Sequence, residues 1–179
     1  MKTFLSVLTA VVTSLGTQAF AQSSNTPTRV VNGQKFGAWS VSCEALAVNE
    51  TTCVLDQKLL RSEDRAFLSQ VIGFWSADGT QRYLAARVPV GAYLPAGYAL
   101  RAEDSDEVLN FTWQTCGRDM CEALLELDQD TMQSLATSEG QIIGSYRPNV
   151  QAQPVVFTFS ATGLADGFTA LQPEPKDDQ

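Results

Sequence analysis

Histidine is absent from all 179 residues, and with it go the usual general base near neutral pH, the commonest metal ligand and every Ser-His or Cys-His arrangement. G-x-S-x-G, P-loop and G-x-G-x-x-G motifs are missing too, so neither a nucleophile elbow nor a phosphate cradle has a candidate. Basic residues are scarce and scattered, 12 Lys and Arg against 20 Asp and Glu for a formal charge of −8. Phosphate backbones are gripped by clustered cations, so no nucleic-acid partner is expected. Beyond the N-terminus no apolar run approaches the ~20 residues that cross a bilayer as a helix, and no membrane span is expected.

What is present begins with a leader. Met1 and Lys2 form a short basic end, Phe4 to Leu15 an apolar stretch, and Ala19-Phe20-Ala21 a small-x-small cleavage site. Cleavage before Gln22 leaves 158 residues carrying a charge of −9, enough for one domain with a real core. Residues 22–34 are polar and turn-rich and read as a flexible segment, residues 35–171 as a single domain, and residues 172–179 as a flexible acidic tail.

Four cysteines enter an oxidising compartment, where thiols pair. Their spacings, Cys43-x9-Cys53 and Cys116-x4-Cys121, suit neither zinc nor a C-x-x-C redox pair. Each pair brackets a polar turn, so local bridges Cys43–Cys53 and Cys116–Cys121 are expected across two hairpins. The crossed connectivities would close far longer loops.

Between the ends run short segments of period-2 character separated by turn residues: Phe36 to Cys43, Thr52 to Arg61, Phe67 to Trp75, Gln81 to Val88, Ala99 to Glu103, Val108 to Thr115, Cys121 to Leu127, Gln141 to Arg147, Val155 to Ser160 and Gly167 to Leu171. Asp128 to Ser138 reads instead as the one short helix. The expected fold is all-β, a two-sheet antiparallel sandwich of immunoglobulin-like type, with a barrel as the other arrangement.

Within this frame the chemical candidates are few. Glu122 and Glu126 share a strand face, but four residues at ~3.3 Å each hold them about 13 Å apart, too far for a glycosidase pair. Asp128, Asp130 and Glu139 fit positions 1, 3 and 12 of a calcium loop, yet Met132 and Gln133 stand where an oxygen ligand and a glycine are required. No catalytic residue, metal or cofactor is assigned. Trp39, Trp75 and Trp113 lie in strands and read as packing residues. Tyr93, Leu94 and Tyr98 sit in a Pro- and Gly-rich segment between strands, and form the candidate contact loop.

The ordered blocks Phe36-Gly37-Ala38-Trp39-Ser40-Val41-Ser42-Cys43, Cys53, Val88-Pro89-Val90-Gly91-Ala92-Tyr93-Leu94-Pro95-Ala96-Gly97, Cys116 with Cys121, and Gly167-Phe168-Thr169-Ala170-Leu171 resemble the invasion-associated locus B family of exported bacterial proteins. Met120 replaces the glycine usual before the fourth cysteine, and the last block is altered by Leu164-Ala165-Asp166 ahead of it. The resemblance implies a periplasmic or secreted β-sandwich of a Gram-negative bacterium, without enzymatic activity. Residues and resemblance together lead to a non-enzymatic interaction module with a protein or envelope partner. An acidic inhibitor of a cationic secreted enzyme, a carboxylate-dependent enzyme and a small-ligand carrier are the other readings.

Overall fold

The computed structural model describes residues 30–48, 50–137 and 140–173, so the leader and its cleavage site, Asn49, Glu139 and the tail from Glu174 lie outside the described residues. Ten strands follow the period-2 segments: β1 (Lys35–Phe36), β2 (Trp39–Ala47), β3 (Glu50–Leu60), β4 (Phe67–Trp75), β5 (Arg82–Pro89), β6 (Tyr98–Ala102), β7 (Leu109–Cys116), β8 (Met120–Glu126), β9 (Gln141–Tyr146) and β10 (Val155–Ser160). Two helices join them, α1 (Gln129–Thr137) and α2 (Leu164–Leu171).

All pairings are antiparallel, and the strands form one continuous sheet in the order β1-β2-β3-β4-β5-β8-β7-β6-β9-β10. The mostly-β expectation holds. The separation into two hydrogen-bonded sheets of immunoglobulin-like type does not, because β7 bonds both β8 and β6 and carries the ladder across. The sheet curls until its ends meet. Trp39 Nε1–H donates to the Ser160 carbonyl at 3.1 Å, and the Ala38 N–H to the Thr162 carbonyl at 3.1 Å.

Alternation along the strands decides which face is enclosed. Val41, Leu55, Gly73 and Leu84 stand in one register row and, with Val71 and Ala86 in the next, face the inside. From the other half come Tyr98, Leu100, Phe111, Ile142, Phe157 and Phe159. Trp39 meets Phe159 edge-on at 6.2 Å between ring centroids, which ties the first strands to the last.

The segment Gly167 to Leu171, expected as a strand, is the second half of helix α2. Leu164, Gly167, Phe168 and Leu171 recur at i, i+3, i+4 and i+7, a helical stripe that becomes visible only when the count starts at Leu164. The missing Cβ atoms let it dock. A side chain at Gly73 would come 2.9 Å from Phe168, and one at Gly167 would come 2.5 Å from Leu55.

Helix α1 starts as expected. The Asp128 carboxylate accepts the Thr131 N–H at 2.7 Å, which satisfies one orphan donor and holds that carboxyl below its ordinary pKa. Both cysteine pairs are bridged as their spacing predicts. Cys43 stands opposite Cys53, and Cys116 opposite Cys121, with Cα separations of 4.0 and 3.9 Å. Directly opposed strand positions approach more closely than the ~5.5–6 Å commonest for bridges.

Candidate functional site

The segment that links β5 to β6 runs over one end of the sheet and is held there at three points. At its start the Val90 N–H donates to the Asp119 carbonyl at 3.0 Å, fastening it to the β7–β8 turn beside the Cys116–Cys121 bridge. In the middle the Tyr93 N–H donates to the Arg147 carbonyl at 2.8 Å, and the Arg147 guanidinium lies 5.8 Å from the centre of the Tyr93 ring. Arg147 Nε–H in turn donates to the Ala152 carbonyl at 2.9 Å, which braces the β9–β10 connection.

The third point is the 3-10 turn Leu94–Ala96, where Pro95 fits the first-turn position and removes a donor that the turn would leave unused. The Leu94 carbonyl accepts Trp113 Nε1–H at 3.0 Å and the Gly97 N–H at 2.9 Å. Gly97 has φ +74°, a conformation open to glycine at little cost, and through it the chain turns into β6.

Apolar side chains are displayed on this pinned surface. Val90 is 52% exposed, Leu94 39% and Met120 37%. Tyr93 is half-buried under Arg147, whereas Leu94 projects from the turn. Tyr98 does not belong to the surface: it opens β6, its side chain is fully buried, and its ring packs on Phe111 at 5.0 Å. Its placement in a contact loop is corrected by the alternation Tyr98, Leu100, Ala102, all inward. Burial pushes its phenol well above the ordinary tyrosine pKa.

Sequence reasoning missed Val90, Met120 and Arg147 as parts of the platform that carries Tyr93 and Leu94. Val90 did carry a signal, as an apolar residue in a turn-rich connection; its place beside Met120 depends on strand order, which local sequence does not encode. Trp113, expected to pack, is partly buried and also spends its indole N–H on the platform.

The acidic residues considered for chemistry lie elsewhere. Glu122 is on the outer face of β8, 2.6 Å from Arg87 Nε, and Glu126 is exposed further along the same strand. Among the described residues no three His, Cys, Asp or Glu side chains converge as metal ligands, and no helix is long and apolar enough to cross a membrane.

A doubly bridged, antiparallel β-protein with short packing helices and a braced loop platform is the class that this geometry defines. The chain belongs to the invasion associated locus B (IalB) protein family, whose model matches residues 39–172. Its fold is similar to that of the crystal structure of invasion associated protein b from Bartonella henselae, with a TM-score of 0.63 at 14% identity over 77% of this chain and 92% of that one. None of the curated proteins matches.

Proposed function

We propose that the chain is a non-enzymatic interaction module, exported to the periplasm or the medium, that docks a protein or envelope partner through the platform of Val90, Tyr93, Leu94 and Met120. One observation carries this reading: exposed apolar side chains stand on loops already fixed by backbone and side-chain bonds. Apolar surface on preformed loops binds with little ordering cost. The two bridges suit an oxidising compartment, and the leader suits export. The B. henselae neighbour's name refers to invasion, and that name belongs to the neighbour.

The test is capture of partners from envelope extracts by native protein, by Leu94→Glu and by Val108→Glu, the last altering an exposed valine in the connection just before β7. The partner should be lost with Leu94→Glu and kept with Val108→Glu. Equal capture by all three would sink the proposal.

The inhibitor reading has its own observation. On the outer face of β2 to β5 and β8, a hollow of about 310 Å³ is lined by Glu44, Asp56 and the Glu122–Arg87 ion pair around Ile72, Phe74 and Ala85. A cationic enzyme seated there would be released by salt, whereas an apolar contact at Leu94 would not.

A further inference from the structure

Strand β10 ends the sheet, and its outer edge is only half closed. Gln57, on β3, holds its carboxamide against Ser160: Nε2–H donates to the Ser160 carbonyl at 3.0 Å, and the Ser160 N–H donates to Oε1 at 3.3 Å. One side-chain amide thus makes the two bonds that a neighbouring strand's peptide groups would make.

In an antiparallel strand the N–H and C=O of a residue point to the same side, and successive residues alternate. Ser160 faces outward, so Thr158 and Val156 do as well, while Phe157 and Phe159 bond β9; the Ala161 N–H to Gly140 carbonyl bond of 2.7 Å continues that alternation. The outward backbone groups of Val156 and Thr158 have no partner among the described residues. Natural edges are blunted by lysine, proline, a bulge or a covering loop. Val155–Ser160 reads VVFTFS, regular in register and without charge or proline, and its Val156 is 64% exposed.

Beside this edge lies an open slot of about 500 Å³, walled by Val156, Phe157 and Thr158 on one side and by Leu59, Leu60 and Leu68 on the other. Its rim holds Lys58, Arg61 and Arg65, three of the 12 basic residues in a strongly acidic chain. Two carboxylates accompany them, Glu63 on the rim and Asp64, which is paired with Arg61 at 3.3 Å.

We infer that this slot binds an extended, carboxylate-bearing segment of a partner polypeptide, which adds a strand to β10 and sets its acidic residues beside Lys58, Arg61 and Arg65. Backbone pairing at Val156 and Thr158 provides the grip, and the cations choose the charge. A second copy of this chain is disfavoured by mutual repulsion, each copy carrying −9 once the leader with Lys2 is removed.

Proline at position 158 would remove only an outward N–H, which the ladder with β9 does not use. The test therefore titrates ¹⁵N-labelled protein with a capped eight-residue peptide of alternating valine and threonine ending in two aspartates, and with the same peptide ending in two lysines. The aspartate peptide should shift and protect the Val156 and Thr158 amides and bind at least tenfold more tightly than the lysine peptide. Thr158→Pro should keep its melting temperature within a few degrees and weaken binding at least tenfold. Arg61→Glu with Arg65→Glu should reverse the charge preference, and Leu94→Glu should change nothing, since the slot is independent of the platform. Absence of binding, binding unaffected by Thr158→Pro, shifts confined to other strands, or loss with Leu94→Glu would each overturn the inference. So would a protein dimer in sedimentation that Thr158→Pro dissolves, because the occupant would then be a second copy.

Discussion

Tyr98 and Ser69 offer the sharpest test of how the curled sheet is held together. Ser69 on β4 is fully buried, and its hydroxyl donates to the Arg87 carbonyl at 3.1 Å. With its single hydrogen committed there, Ser69 Oγ can only accept from the Tyr98 hydroxyl, 3.2 Å away across the core. Tyr98→Phe deletes one net hydrogen bond and strands no donor, so it should cost about 1 kcal/mol. Ser69→Ala removes the bond to Arg87 and leaves the Tyr98 hydroxyl buried with no acceptor, and should cost about 2 to 3 kcal/mol. The double variant should cost less than the sum, because the orphaned hydroxyl is gone.

Urea unfolding at neutral pH measures all three, each kcal/mol moving the midpoint by about 0.3 to 1 M. A second signature is alkaline. Burial raises the folded pKa of Tyr98 above the unfolded value near 10, and the Tyr146 charge adds to the rise. The unfolded chain therefore loses its proton first, and stability is constant below pH 10 and falls above it. Tyr98→Phe should flatten that fall but not abolish it, because Tyr146 is shifted upward too, chiefly by burial. A Tyr98→Phe cost equal to that of Ser69→Ala, or an unchanged alkaline slope, would refute this reasoning.

Opening the bridges should destabilise the protein by about 2 kcal/mol for Cys116–Cys121 and about 3 kcal/mol for Cys43–Cys53, following their sequence separations of 5 and 10; paired Cys→Ala variants in urea check the order. Gly167→Ala should lose about 1 to 3 kcal/mol despite a gain in helix propensity of about 1, because its Cβ would stand 2.5 Å from a fully buried Leu55; a rise in melting temperature would contradict that packing. On the acid side, bonds from the Ser76 hydroxyl and then the Thr80 N–H and hydroxyl lower the Asp78 pKa to about 2. Its contribution is present above the unfolded value near 4 and is lost as pH falls toward 2, so Asp78→Asn should remove part of the acid-induced loss seen in the wild type.

Nine of the ten strands were legible from period-2 alternation, because each half-buried face writes its own polarity into the chain. Only the two-residue β1 was not separated from its neighbour. The bridges were legible for a related reason: opposed hairpin positions are close in sequence. Helix α2 was hidden by starting its count at Gly167, and the single curled sheet by the β8–β7–β6 ladder, which joins what strand counting divides. Tyr93 and Leu94 were found from the turn chemistry around them. Tyr98 was misplaced because one residue beyond Gly97 the period changes, and a loop tyrosine and a core tyrosine look alike there. Arg147 as a brace for Tyr93 required long-range placement.

Partner docking at the braced platform is tested most directly in living cells by a photo-crosslinking amino acid placed at position 94, with position 108 as control. Both sites are exposed, Leu94 at 39% and Val108 at 51%, but only Leu94 lies on the platform. A discrete adduct that forms from position 94, survives high salt and is absent from position 108 is the expected result. Equal labelling from the two positions, or an adduct from position 108 alone, would contradict docking through this surface.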